Sequence, residues 1–359
     1  MLLGTVGLST WRWNNNLKSL LLLAMFPAML VLLLWGIVFV SGEILVNFST
    51  DEIVSDGQLF LPPRFLGLDM PGGGVTPLQL ANLIVIGSWP WVVGISVAWT
   101  ALGYFFHGAL LRASTGARPV SRQEAPGLYN ILENLCISRG MQMPKLYIIE
   151  TPALNAFATG IDRRSYAITV TSGILQALDE RELSAVLAHE LTHIINRDVR
   201  LLVVTIVFAG MISFLSHMLW RSMRFNRPRG NGKRGGGVLV IILVAGVFLL
   251  IGNLLALLLR LALSRRREYM ADAGSVDLTH DPEAMIGALR KISGNAAMPQ
   301  VAADVRQMFI ENPPTFAGFF GLFSTHPSID DRIAVLEKLT GLTPVARGHT
   351  HIPPVSTQD

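Results

Sequence analysis

Residues 189–193 read His-Glu-Leu-Thr-His. On an α-helix the two histidines, four apart, come onto one face about 5.4 Å from each other along the axis, a spacing at which two imidazole nitrogens can grip one metal ion. Zinc accepts imidazole readily, and a catalytic zinc keeps one coordination position open for water. Glu190, beside the first histidine, stands where it could take that water's proton. The chemistry on offer is metal-assisted hydrolysis, with His189 and His193 as ligands and Glu190 as general base. A five-residue pattern also arises by chance, so a third ligand has to be found. Residues 264–275, SRRREYMADAGS, offer Glu268 and Asp272, again four apart. Glu268 could complete the site while Asp272 accepts a hydrogen bond from a ligand histidine and fixes its tautomer. The plainer reading of that stretch is a solvated helix start whose acids pair with Arg265, Arg266 and Arg267, and only its company with the histidine motif favours ligation.

The elements that must position these residues are legible nearby. Asp179 followed by Glu182 forms a capping-box pattern, and Leu183, Val186, Leu187, Leu191, Ile194 and Ile195 make an apolar stripe. Neither Gly nor Pro interrupts residues 180–209, which predicts one helix running from the metal motif into the apolar run that follows it. Glu268 stands five residues beyond another apolar run, so both ligand-bearing helices are expected to grow out of one membrane hairpin and to hold the metal close to the bilayer surface.

Membrane segments dominate the rest of the chain. Its 359 residues are 51% hydrophobic and only 15% charged, which is unusual for a purely soluble protein. Four apolar runs, 20–40, 83–111, 201–220 and 238–263, are long enough to cross a hydrocarbon core of roughly 30 Å. The tract between the first two is acidic, while Arg112, Arg118 and Arg122 follow the second. Positive-inside bias then puts that tract outside and the polar domain in the cytoplasm. The loop LPPRFLGLDMPGGGVTP is expected to be irregular, given its Pro and Gly content. The hairpin tip between runs three and four carries Arg221, Arg224, Arg227, Arg229, Lys233 and Arg234, which conflicts with the bias if the hairpin spans. Spanning is the reading preferred here. Cys136 is the only cysteine, so cysteine-based zinc sites are excluded. The net charge of +4 reflects basic residues flanking apolar runs, and no nucleic-acid partner is expected.

Residues 154–173, LNAFATGIDRRSYAITVTSG, read as strand, turn, strand, with Tyr166, Ile168 and Val170 alternating. The turn Thr325-His326-Pro327 reads as the approach to a helix over 330–336.

These motifs together carry a resemblance. HELTH, SRRREYMADAGS, NAFATG and LFSTHPSIDDR occur in the order and at about the spacing found in the HtpX-type membrane zinc metalloproteases, gluzincins related to the CAAX prenyl endopeptidases, over about 112–339. The resemblance implies one catalytic Zn2+ held by His189, His193 and Glu268, Glu190 as general base, and Asp272 supporting a ligand. It further implies that His326 and Arg332 face the zinc and stabilise the oxyanion of the tetrahedral intermediate. Asn155 and Ala156 match the sheet edge where substrate backbone pairs as an added strand.

The expected architecture is α+β and mainly helical: about four apolar membrane helices with a split zincin-like metalloprotease domain containing a small β-sheet. Residues 1–111 form the N-terminal membrane region with its external loop. Residues 112–200 and 264–339 form the two halves of the protease domain, 201–263 the membrane hairpin and 340–359 a flexible tail. The expected function is hydrolysis of peptide bonds in misfolded or membrane proteins at the cytoplasmic face of a bacterial inner membrane, in protein quality control. A CAAX-type prenyl-protein endopeptidase and a non-catalytic metal-binding membrane scaffold are the alternatives. Expected partners are protein or peptide substrates and the lipid bilayer; the sequence leaves the oligomeric state open.

Overall fold

The computed structural model describes residues 8–48, 54–61, 64–65, 68–69, 74–225, 242–247, 249–252, 266–293, 295 and 327–341. In chain order the elements are α1 (Leu8–Phe48), β1 (Val54–Ser55), β2 (Gln58–Leu59), β3 (Arg64–Phe65), β4 (Leu68–Asp69), α2 (Pro77–Thr115), β5 (Arg118–Pro119), α3 (Pro126–Ser138), β6 (Lys145–Ile149), β7 (Ala156–Thr159), β8 (Ala167–Thr171), α4 (Ser172–Ala177), α5 (Glu180–Ile195), α6 (Asp198–Phe225), α7 (Arg266–Thr279), α8 (Pro282–Ile292) and α9 (Ile329–Thr340).

Among the described residues three segments, Asn15–Asn47, Pro77–Thr115 and Asp198–Met218, are long and apolar enough to cross a membrane. The fourth expected run is described only in part, as the shorter apolar helix Ile242–Gly252. Lipid gives apolar side chains no reason to leave it, so these helices associate through close packing and a few polar contacts. Gly103 of α2 meets Val207 of α6 so tightly that a Cβ there would lie 2.6 Å from both methyl carbons. Trp99 Nε1 donates to the Val207 carbonyl at 2.9 Å, Trp35 Nε1 to Asn82 Oδ1 at 2.9 Å, and Phe26 stacks on Phe208 with centroids 4.2 Å apart. Helix α2 starts at a capping box formed by Thr76 and Gln79 with Pro77 in the first turn. The loop expected to be irregular contains the short antiparallel hairpin β3–β4, and a second, β1–β2, precedes it. Two-residue connections let so brief a ladder form between prolines.

The polar half is one core built from two flanks of the chain, one before the apolar part of α6 and one after it. Strands lie in the order β5-β6-β8-β7, with β6 and β8 parallel and the other pairs antiparallel, so β7 is an edge strand. Ile168, Val170, Ile174, Leu187 and Leu191 of the first flank pack in the same core as Met285, Leu289 and Ile292 of the second. Helix α7 lays small residues on α5: Ala271 is fully buried, Ser275 Oγ donates to the Ala185 carbonyl at 2.6 Å, and a Cβ on Gly274 would lie 2.4 Å from Thr192 Cγ2. That close approach brings the acids of α7 to the histidines of α5.

One expectation is corrected. The helix does not run unbroken from the metal motif into the membrane: α5 ends at Ile195 with Asn196 as its cap, Arg197 takes φ 61°, and α6 begins at Asp198. A left-handed arginine costs about 1–2 kcal/mol. The turn it makes swings the Asp198 carboxylate back to His193, which the contacts below account for.

Candidate metal centre

The centre of α5 is deeply buried: His189, Glu190 and the apolar residues around them are between 0 and 2% exposed. An apolar stripe packed on both sheet and helices holds this turn, and its capping box, with Asp179 accepting from the Glu182 N–H at 2.9 Å and Glu182 accepting from the Asp179 N–H at 3.0 Å, fixes where it starts. The four-residue spacing then sets His189 Nε2 and His193 Nε2 3.2 Å apart. Glu268 of α7 reaches in, its Oε2 3.7 Å from His189 Nε2 and its Oε1 3.9 Å from His193 Nε2. One ligand atom from each of the three lies within 4.8 Å of the others.

Each histidine is backed by a carboxylate on its other ring nitrogen. His189 Nδ1 lies 2.9 Å from Asp272 Oδ1, and His193 Nδ1 lies 3.1 Å from Asp198 Oδ2. These contacts place the ring proton on Nδ1 and leave the Nε2 lone pairs facing each other. Two such lone pairs at 3.2 Å beside a carboxylate repel unless a proton or a metal ion lies among them; with Glu268 as a third donor the set fits a divalent metal, and imidazole with carboxylate suits zinc. Burial pushes the His189 imidazole down to about 4, outweighing the pull of Asp272, so the ring is neutral. For His193 burial acts the same way, but the hydrogen bond to Asp198 and the charges of Glu268, Asp198 and Glu190 outweigh it and raise its proton affinity.

Glu190 is 2% exposed. Burial, aided by Glu268, pushes its carboxyl up to about 7, against the opposing pull of His193, the Ala158 N–H and Arg332. That N–H belongs to β7, the last strand of the sheet and itself buried, so the base candidate and the edge strand meet. Asn155, fully buried, holds the start of that strand: its backbone N–H donates to Thr171 Oγ1 at 3.0 Å, and its Oδ1 accepts from the Ala156 N–H at 3.0 Å.

Arg332 is 1% exposed, and its Nε and Nη2 donate to Asp272 Oδ2 and Oδ1 at 2.8 and 2.6 Å. Its Nη1 stands 3.9 Å from Glu268 Oε2. Burial works against that guanidinium's charge, and Asp272 more than compensates. The bidentate pair faces Arg332 toward the carboxylate behind His189. Asp272 is held below the usual carboxylate range because Arg332 and His189 together overcome the effect of its burial. His326 lies outside the described residues. The other expected residues, His189, Glu190, His193, Glu268, Asp272 and Arg332, come together in one cluster, with Asn155 and Ala156 on the neighbouring strand.

Two residues escaped the sequence reading. Asp198 stands five residues after His193, a spacing that faces away on a continuous helix and points inward only because the chain breaks at Arg197. Asn15, 3% exposed on α1, donates from Nδ2 to Asp198 Oδ1 at 2.7 Å and to the Asn196 carbonyl at 3.1 Å. A polar residue at the edge of a membrane helix is itself a signal, and Asn14-Asn15-Asn16 carries it in plain sight.

Comparison with known proteins follows the same lines. The model of peptidase family M48 matches residues 122–340. A protein described as a protease HtpX homolog from Bacteroides fragilis strain YCH46 is 38% identical over 340 residues, 93% of this chain and 99% of that one. A protease HtpX homolog from Tropheryma whipplei strain Twist is 36% identical over 246 residues, 68% of this chain and 83% of the relative. Among solved structures, Ste24p of S. mikatae aligns with a TM-score of 0.45 at 19% identity, over 69% of this chain and 58% of that one. With a family model matching more than half of its length and a relative 38% identical along nearly all of it, the chain belongs to peptidase family M48.

Proposed function

We propose that this chain is a membrane-embedded zinc endopeptidase in which His189, His193 and Glu268 hold one Zn2+ and Glu190 is the general base. The observation that carries the reading is the pair of Nε2 atoms 3.2 Å apart, each ring anchored through Nδ1 by its own carboxylate. A histidine pair built only for packing needs neither anchor nor a third acid at the same point. When bound, the zinc polarises the scissile carbonyl and lowers the pKa of a water.

The chain's own residues do the remainder. An extended substrate adds along the edge strand β7, near Asn155 and Ala156, and its backbone pairs on the side of that strand away from β8. Glu190, with a proton affinity near neutral, takes a proton at its carboxylate and delivers it to the leaving amine. Arg332 is a positioning residue. Its fork locks Asp272, Asp272 locks His189, and the nearby guanidinium balances the negative charge of Glu268. Nε and Nη2 serve this positioning role, and Nη1, turned toward Glu268, is the atom left for the oxyanion-donor role implied by resemblance.

Substrates are unfolded or membrane proteins reached at the cytoplasmic face of a bacterial inner membrane. Positive charge flanking the membrane helices supports that orientation, and the start of α6 beside His193 keeps the cleft at bilayer level. The non-catalytic scaffold is disfavoured because Glu190 is present with a raised proton affinity. The test is chelation of the detergent-solubilised protein followed by metal return, with an unfolded protein as substrate. Cleavage that is lost with chelator and restored by zinc supports the reading; cleavage indifferent to chelator overturns it.

A further inference from the structure

Between α1, α2 and α6 a groove of about 440 Å³ opens, lined by Leu23 and Pro27 of α1, Val97 and Ala101 of α2, and Val204 and Phe208 of α6. Its walls are mostly apolar, the hydroxyls of Ser96 and Thr100 being turned to carbonyls of their own helix, and Tyr104 and Arg200 add the other polar groups of the lining. Val97 is 59% exposed, so the groove is open along the face that the membrane helices turn outward.

Arg200 is an anomaly there. Its Nε is buried and has no hydrogen-bond partner among the described residues. A buried guanidinium nitrogen without an acceptor is costly. Asp162, which Tyr104 of the same groove binds, is already engaged: it accepts from Tyr104 Oη at 2.8 Å and from the Arg164 and Ser165 N–H groups at 3.0 and 2.9 Å. The surroundings add positive charge. Burial, with the charge of Asp162, raises the pKa of Tyr166, and the charges of Arg197, Arg200 and Arg163 oppose that rise, so three cations gather there against one acid. A half-buried arginine with an unpartnered Nε, in the lining of a mostly apolar trough and among further arginines at the end of a membrane span, is complementary to an amphiphile with an anionic head.

We propose that this groove binds one anionic phospholipid, its phosphate on Arg200 and an acyl chain lying along Val97, Ala101, Val204 and Phe208. The phosphate supplies the charge-assisted acceptor that Arg200 lacks, and basic residues just outside a membrane span prefer anionic headgroups. A transmembrane helix is a poorer occupant. At about 10 Å across it needs a wider trough, and it brings no anion to the arginine.

The test is native mass spectrometry of the full chain, exchanged into detergent with equimolar phosphatidylglycerol and phosphatidylcholine. The wild type should retain one lipid, with phosphatidylglycerol favoured about fivefold, the preference one basic residue confers. Arg200→Gln should retain both lipids equally and Arg200→Lys should keep most of the preference, whereas Arg122→Gln, on an exposed helix-flanking turn, should leave it unchanged. Ala101→Trp, which fills the trough with Arg200 in place, should remove the bound lipid, and its melting temperature shows whether the fold survives. Equal retention of the two lipids by the wild type, or an unchanged preference in Arg200→Gln, overturns the proposal. So does displacement of the lipid by millimolar inorganic phosphate, which would make the site a bare anion site rather than a lipid groove.

Discussion

Asn15, on the first membrane helix, donates to Asp198 Oδ1 at 2.7 Å, while the other oxygen of that carboxylate stands 3.1 Å from His193 Nδ1. A helix that carries no ligand thus fixes the support of one. The orientation of His193, a proposed ligand, is joined to the docking of α1 against the start of α6.

Asn15→Leu keeps the branched heavy-atom shape of the side chain and removes both donated hydrogen bonds. It should weaken zinc binding about tenfold, the low end of what loss of a supporting partner costs a metal site. Asn82→Leu, which breaks the Trp35 contact between α1 and α2, should leave zinc affinity unchanged. Competition with a chromogenic chelator reads both, and the absorption of the cobalt-substituted protein reports whether His193 has moved.

A different face of the site tests the base. In chelator-treated protein, Glu190 has its carboxyl pushed up to about 7 from 4.5. Between those values the folded state holds the proton more tightly than the unfolded one, so the contribution of Glu190 is most favourable below pH 4.5 and is lost as pH rises through 7. Glutamine does not titrate. Glu190→Gln should therefore match wild type near pH 4 and exceed it in stability at pH 8, by on the order of 3 kcal/mol. Melting temperatures measured across that range decide it; a gap that does not change with pH would contradict the burial argument.

The contact between α5 and α7 sets the distance between the histidines and Glu268. Gly274→Ala would drive a methyl into Thr192 Cγ2 and should cost about 1–3 kcal/mol, as overpacking does. Pairing it with Thr192→Ala should recover most of that loss, and the double-mutant cycle in melting temperature and zinc affinity measures the coupling.

Strand β7 makes a further prediction. Ala158→Pro removes the N–H that reaches Glu190 while leaving the ladder to β8, because a proline is tolerated where an edge strand faces outward. Peptide cleavage should fall about tenfold or more, the cost of a lost hydrogen bond to a charged group. Zinc content should stay at one per chain, as metal analysis would show.

Much of the centre was legible because helical spacing is a local rule. His189 with His193, and Glu268 with Asp272, each declare a shared face from a gap of four residues. The capping box at Asp179 and the apolar stripe declare the helix that bears the first pair. What the sequence hid depends on tertiary structure. Asp198 needed the left-handed turn at Arg197, which no Gly or Pro announces, and the one long helix expected over 180–209 followed from that silence. Asn15 needed the docking of a helix more than 180 positions away in the chain. Arg332 could be placed near the metal by motif, but only the structure shows its fork directed at Asp272.

The most direct test of the central claim compares wild type and Glu190→Gln, both purified with zinc, on an unfolded protein substrate. The account predicts one zinc per chain in each protein and cleavage by the wild type alone. Cleavage by Glu190→Gln at the wild-type rate, or zinc that fails to bind the wild type, would contradict it.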